Sequence, residues 1–289
     1  MHNEVIYDAS GRDRIEWSAW RVMFREIWES RELIHRLLVR NIAGQFRQSF
    51  LGYVWIVLPP LATALVFSLL QKAKVVTVEM PAEALPYFLF VMLGSTVWGY
   101  FTQFSSMATT SISSAGPLVS KIYFPREVLV VSSAGIAIMN MVVRIVVFVL
   151  AVLLSGYALT WNALWCLPLF IPLTLFALGV GLIFAPINAM MNDMGRVLEF
   201  VFGFGMFLSP AVFPTPPLDF GAGIGNNLLF WLHHINPVSY YLYAMHELLE
   251  FGSLTIGPGL VATWIFSALT FFIGWRFFHV CEPMLAERV

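Results

Sequence analysis

Few groups in this 289-residue chain could do chemistry, because 59% of its residues are hydrophobic and only 11% are charged. The most suggestive stretch is His246-Glu247-Leu-Leu-Glu250. It opens like a zinc-protease helix, but Glu stands where the second metal-binding His belongs. With His233 and His234 nearby a metal site is conceivable. A capping or interfacial role on an outer surface is the better reading, and no metal is expected. Gly221-Ala-Gly-Ile-Gly225 lacks the Lys-Ser/Thr that completes a phosphate-binding loop, so it reads as a turn, and the chain is not expected to hydrolyse ATP by itself. Cys166 and Cys281, the two cysteines, make neither a disulfide framework nor a zinc site. Arg144 lies deep in an apolar run, one helical turn after Asn140, so the two share a face. A charge there is costly unless paired. It is read first as a structural ion pair or inter-helix polar contact, and second as lining a transport path. Aromatic residues make up 16% of the chain. Most must face lipid or fill helix contacts, while Tyr53, Trp98, Tyr100, Phe101 and Tyr240 are candidates to stack on sugar rings along such a path.

The elements that hold these residues follow from the apolar surplus. A soluble domain carries roughly a quarter charged residues, so lipid must be the solvent for much of this chain. Phe50–Leu70, Tyr87–Ala108, Val128–Leu154, Leu164–Met191 and Leu260–Phe278 are each long enough to cross about 30 Å of hydrocarbon at 1.5 Å per residue. Val197–Val212 is shorter, contains Glu199 and runs into Pro210, Pro214, Pro216 and Pro217; it is counted as the fifth of six spans. Leu228–Met245 is broken by His233, His234, Asn236 and Pro237 and reads as a re-entrant or interfacial hairpin on the outer side. The fold class is therefore an all-α polytopic membrane protein of six transmembrane helices, forming one domain over residues 1–289.

Charge placement orients it. Arg12, Arg14, Arg21, Arg25, Arg31, Arg36, Arg40 and Arg47 precede the first span, and every other Lys or Arg except Lys72, Lys74 and Arg144 falls on the same side. The positive-inside rule puts both termini in the cytoplasm. Trp20, Phe24, Ile27, Ile34 and Leu38 recur at helical spacing among charged residues, which predicts an amphipathic helix over 18–40 lying along the membrane face or packed on a partner protein. The polar first 49 residues give no sign of a cleavable signal peptide. The loop from Phe213 to Gly259 contains no Lys or Arg, which argues against a glycan polymerase or ligase, since such an enzyme needs cations on the outer face to hold a lipid pyrophosphate. An ion-driven transporter would need paired mid-membrane acids and usually an internal repeat, and neither is apparent.

Four stretches carry a resemblance. Leu33-Ile-His-Arg-Leu-Leu-Val-Arg40 through Arg47 and Gly52-Tyr-Val-Trp55 to Pro59-Pro60 resembles the approach to the first span of type 2 ATP-binding-cassette export permeases, among them those exporting O-antigen, capsule and teichoic acid polymers. Gly116-Pro-Leu-Val-Ser-Lys121-Ile-Tyr123-Phe124-Pro125-Arg126-Glu127 is similar to the cytoplasmic loop between their second and third spans. Ser209-Pro210 and Ile235-Asn236-Pro237 resemble the end of their fifth span and the returning outer hairpin. The chain departs from the family at Asn41, where an acidic residue usually follows the Arg. The resemblance implies a non-catalytic permease subunit of the bacterial inner membrane. Two copies would pair with two ATPase subunits, which carry the ATP and Mg, to export a lipid-linked polysaccharide in lipopolysaccharide biosynthesis. It implies that Lys121, Tyr123, Phe124, Pro125, Arg126 and Glu127 belong to a coupling loop docking on the ATPase, with a smaller second contact at Asn192, Asp193 and Arg196. Arg40 and Arg47 are expected where the lipid phosphate enters, since phosphate favours such cations. A drug or lipid exporter of the same superfamily is the alternative. No nucleic-acid partner is expected.

Overall fold

A computed structural model describes residues 17–45, 47, 49–78, 85–115, 124–215 and 224–288, and among them it is helical throughout, with no strand. The long elements are α3 (Val54–Lys72), α4 (Tyr87–Ala115), α5 (Glu127–Ser155), α6 (Cys166–Met191, entered through a 3-10 turn over Trp161–Trp165) and α10 (Pro258–Arg288). Shorter ones are α1 (Trp17–Glu29), α2 (Arg31–Gln45), α7 (Met194–Gly205), α8 (Ile224–Ile235) and α9 (Pro237–Glu250). Four stretches are long and apolar enough to cross a membrane: Val54–Lys72, Glu127–Ser155, Trp161–Met191 and Pro258–Pro283.

The helix of the second expected span, α4, is the hub. Its 29 residues carry no charge but many Ser and Thr, with two Gly and one Gln, and most of them are buried, with α3, α5, α6, α7 and α9 packed around it. A helix surrounded by protein does not need a lipid-facing surface, so its polarity fits its place. Small residues let neighbours come close. A Cβ on Gly94 would lie 2.0 Å from the carbonyl oxygen of Ala211, and one on Gly181 would lie 2.2 Å from Ala108. Along the opposite seam α6 and α10 cross backbone to backbone, where a Cβ on Gly274 would sit 2.5 Å from the Gly179 carbonyl oxygen.

Contacts order the chain between two ends of the bundle. At the α1–α2 end, Asn188 donates to Ser113 and Arg126 meets Glu282. At the hairpin end, Tyr87 donates to the Val212 carbonyl, Tyr157 to that of Leu249 and Asn162 to that of Gly252. There burial raises the carboxyl of Glu250 above its ordinary value, while a bond to the Leu85 backbone lowers it, and burial and Glu250 together raise the Tyr157 phenol.

Three elements differ from their sequence expectations. The N-terminal helix expected over 18–40 is two helices broken at Ser30, and the second runs on to Gln45. Part of the α1 aromatic face meets protein: Trp20 packs edge-on against Phe272 and Trp275, and Phe24 against Trp275 at 4.6 Å, while Phe24 and Trp28 keep large exposed surfaces. The helix of Val197–Val212 stops at Gly205, one turn ahead of Pro210, which has no N–H to bond the Met206 carbonyl and continue the ladder. Segment 194–212 still follows α4 for much of its length, with Gly195 beside Thr110, Phe202 beside Trp98 and Val212 beside Tyr87. Residues 228–245 become two helices of 12 and 14 residues, α8 and α9, separated at Asn236. Asn236 caps α9 by accepting from the Val238 N–H, with Pro237 at the first helical position.

Candidate functional site

The α1–α2 end gathers the polar groups that leave the bundle. Lys121 and Tyr123 lie outside the described residues, and the loop resumes at Phe124 and Pro125, both half-buried. Arg126 and Glu127 are buried, and they bond groups of α10. The Arg126 backbone N–H donates to the Glu282 carboxylate at 3.1 Å and its guanidinium to the Glu282 carbonyl at 3.2 Å. The His279 ring, also buried, bonds Glu127 through Nδ1 at 3.1 Å, and the same nitrogen lies 3.9 Å from Glu282. These groups are ionisable, hydrogen-bonded and shielded, so removing one strands another. Glu127, His279 and Glu282 bring three potential metal-ligand atoms within 4.8 Å of one another. Arg126 already lies against Glu282, so the arrangement works as a clamp between the loop exit and α10. Neither His279 nor Glu282 was singled out from the sequence. The signal was there, as two ionisable residues one turn apart in the tail of an apolar helix.

The second turn at this end is differently built. Asn192 takes a left-handed conformation with φ 57°, which Asn tolerates better than most residues. Its N–H bonds the Asn188 carbonyl at 2.7 Å, and the Asn188 side chain spans from Ser113 to the Gly195 N–H. Asp193 and Arg196 are exposed and paired at 3.3 Å. The turn is thus fixed from below and open to a partner above.

A polar seam runs inward from this end between α4 and α5. Near the end lies a cleft of about 550 Å³ lined by Arg40, Asn41, Gln45 and several hydroxyl groups. Arg40 donates to the Asn41 side chain at 3.1 Å, so Asn at this position still accepts from the Arg, while Arg47 is exposed. Deeper in lies a cleft of about 490 Å³ lined by Ser95, Thr102, Gln103, Ser106 and Arg144 from α4 and α5, with Pro59, Pro60 and Glu199 from α3 and α7. Pro60 has no N–H, so the Ile56 carbonyl in its helix loses its ordinary donor. Arg144 Nε supplies one at 3.2 Å. Its NH1 is buried without a partner, 3.2 Å from where a Gly99 Cβ would stand. Arg144 therefore makes the inter-helix contact read from the sequence and also lines a cleft.

The aromatic candidates divide. Tyr100 is buried and bonded to Thr174, and Phe101 stacks on Phe176 at 5.2 Å, so both take part in helix contacts. Trp98 is buried but lines the deeper cleft, its indole donating to the Phe202 carbonyl at 2.9 Å. Tyr240 bonds the His234 carbonyl within the hairpin, and Tyr53 is exposed at the start of α3. The three histidines of the hairpin do not converge. His246 stacks on Phe90 at 4.0 Å, His233 bonds Thr215 at 2.8 Å, and His234 bonds the Phe230 carbonyl at 2.8 Å.

The family model of the ABC-2 type transporter matches residues 32–249. An O-antigen export system permease protein RfbA of Myxococcus xanthus is 28% identical over 198 residues, covering 68% of this chain and 74% of the relative. A protein of the same description from Klebsiella pneumoniae is 24% identical over 216 residues, covering 74% of this chain and 79% of the relative.

Proposed function

The chain belongs to the ABC-2 type transporter family, and from that premise we propose that it is the membrane subunit of an ATP-driven exporter for a lipid-linked polysaccharide of the O-antigen kind. The observation that carries this reading is the family match, joined to two relatives described as O-antigen export permeases over most of their length. In it, α3, α4, α5, α6, segment 194–212 and α10 make six crossings of a bacterial cytoplasmic membrane within one domain, and α8–α9 form a re-entrant hairpin on the outer face. The α1–α2 end is cytoplasmic, in keeping with the Lys and Arg bias.

Two copies of the chain pair, and two cytoplasmic ATPase subunits carry the ATP and Mg. The loop before α5 meets the ATPase through the stretch holding Lys121, Tyr123, Phe124 and Pro125. The clamp of Arg126 and Glu127 on His279 and Glu282 passes its displacement to α5 and α10 together. Asn192, Asp193 and Arg196 make the smaller second contact. Arg40 and Arg47, both exposed at this end, meet the phosphate of the arriving lipid.

Purification from native membranes in mild detergent, followed by identification of bound proteins and an ATPase assay, tests the reading. A complex with a nucleotide-binding subunit whose hydrolysis depends on this chain is expected. Recovery of the chain alone, from membranes that extend glycan without any ATPase, would overturn it in favour of a polymerase.

A further inference from the structure

We propose that the seam between α4 and α5 is a binding track for the phosphate headgroup of the exported lipid, with Arg144 as its deepest contact. The proposal rests on the exporter reading above and adds to it a ligand group and the residues that hold it.

The two polar clefts are not separate features. On α4 the residues that line them, Gly99, Thr102, Ser106, Thr110 and Ser114, follow one another at intervals of three or four, which is a single helical face. On α5, Ser133, Ile136, Asn140 and Arg144 do the same. Gln45 bridges from α2 to Asn140 at 3.4 Å, between one cleft and the next. The result is a row of hydroxyl and amide groups leading from Arg40 to Arg144. An uncharged, water-filled passage would need no cation at its far end, and a purely structural arginine would have its nitrogens satisfied. Arg144 fits neither description. Its Nε is held by the Ile56 carbonyl, which fixes the guanidinium, while NH1 is left buried and unpartnered over Gly99, where no side chain intervenes. Glu199 lines the same cleft but is exposed and forms no ion pair with it. A fixed cation with an unused N–H in a hydroxyl-lined space of about 490 Å³ is suited to a phosphate oxygen, which the low dielectric there would hold strongly.

A phosphate on a lipid could come from the polyprenyl carrier of the glycan or from bulk phospholipid, and the test separates them. The full transporter with its ATPase, held in a nanodisc of zwitterionic lipid, is titrated with a short-chain polyprenyl pyrophosphate, and in a second arm with phosphatidylglycerol. The unaltered protein should bind the pyrophosphate in preference to phosphatidylglycerol. Arg144→Met should weaken that binding about tenfold or more, the loss of one charged hydrogen bond, and Arg144→Lys should recover part of it. Because Arg144→Met also removes the Ile56 contact, Ser106→Val is measured beside it; it lines the cleft and should weaken binding severalfold without disturbing assembly. Unchanged affinity in both Arg144→Met and Ser106→Val, with ATP-dependent export intact in the unaltered protein, would sink the track alone. Equal binding of phosphatidylglycerol would also overturn it, assigning the cleft to bulk lipid. Absence of any bound ATPase and of ATP-dependent export in the unaltered protein would sink the exporter reading, and this proposal with it.

Discussion

At the residue scale the informative positions are those where one group answers the deficiency of another. Pro60 frees a carbonyl and Arg144 takes it; Glu282 takes the Arg126 N–H and Glu127 takes the His279 ring. Replacing Pro60 with Ala restores a backbone donor to Ile56, so the helix no longer needs Arg144. The expected outcome is a higher melting temperature in detergent with slower export, read by a thermal unfolding assay beside a transport assay. Glu282→Ala strands the buried Arg126 N–H, at a cost of about 1–3 kcal/mol, while the guanidinium keeps the backbone carbonyl of residue 282. Beyond that loss, ATP hydrolysis per polymer exported should rise, because the ATPase would still turn over while its motion no longer reached α10. Glu282→Ala with an unaltered ratio of hydrolysis to export would show that the clamp only holds the fold. Arg144 was legible from the sequence because a charge in an apolar run needs an explanation. Its partner was not, because an orphaned carbonyl leaves its mark two helices away and only as a proline.

At the element scale, long apolar runs were readable and short or polar helices were not. The spans of α3, α5, α6 and α10 follow from length and hydropathy alone. Segment 194–212 was harder, because its helix ends at Gly205 and no run of apolar residues records where the turns after it go. The amphipathic stripe of α1 was visible, but the sequence could not say whether lipid or protein covered it. Phe272 and Trp275 lie some 250 positions later, in a stretch of their helix with no distinct apolar stripe to mark the contact. Packing at α4 makes two predictions of its own. Gly94→Val would drive a side chain into the Ala211 backbone, so it should lower expression and melting temperature sharply, far more than Gly225→Val, whose Cβ would meet nothing within 4 Å. Deletion of residues up to Glu29 should expose Trp275 and Phe272, measurable as a red shift in tryptophan emission and as increased aggregation on removal of detergent.

At the scale of the whole molecule, the bundle has a closely packed side and a side rich in exposed apolar residues. On the first, α6 and α10 meet at Gly179 and Gly274 with backbone against backbone, and interfaces this tight move as a unit. On the other, α3 and α7 carry much of the exposed apolar surface, including Leu65, Val66, Leu69, Phe200, Val201 and Phe204. If α3 and α7 are where a second copy sits, the detergent-solubilised complex should have a mass corresponding to two copies of this chain and two ATPases. A lysine at Phe204 should halve the number of permeases in it, as read by native mass spectrometry. A monomer under all mild conditions would refute the pairing.

The clamp also has a bearing on how the protein is made. Helix α10 leaves the ribosome after every element it fastens: α1 against Trp275, α6 at Gly274, and the loop exit through His279 and Glu282. Until those residues emerge, Arg126 and Glu127 lack their α10 partners and Trp20 and Phe24 lack Trp275 to pack on. That clamp is thus set late in synthesis, and on the coupling role proposed above a chain stalled partway through insertion is expected not to engage an ATPase productively.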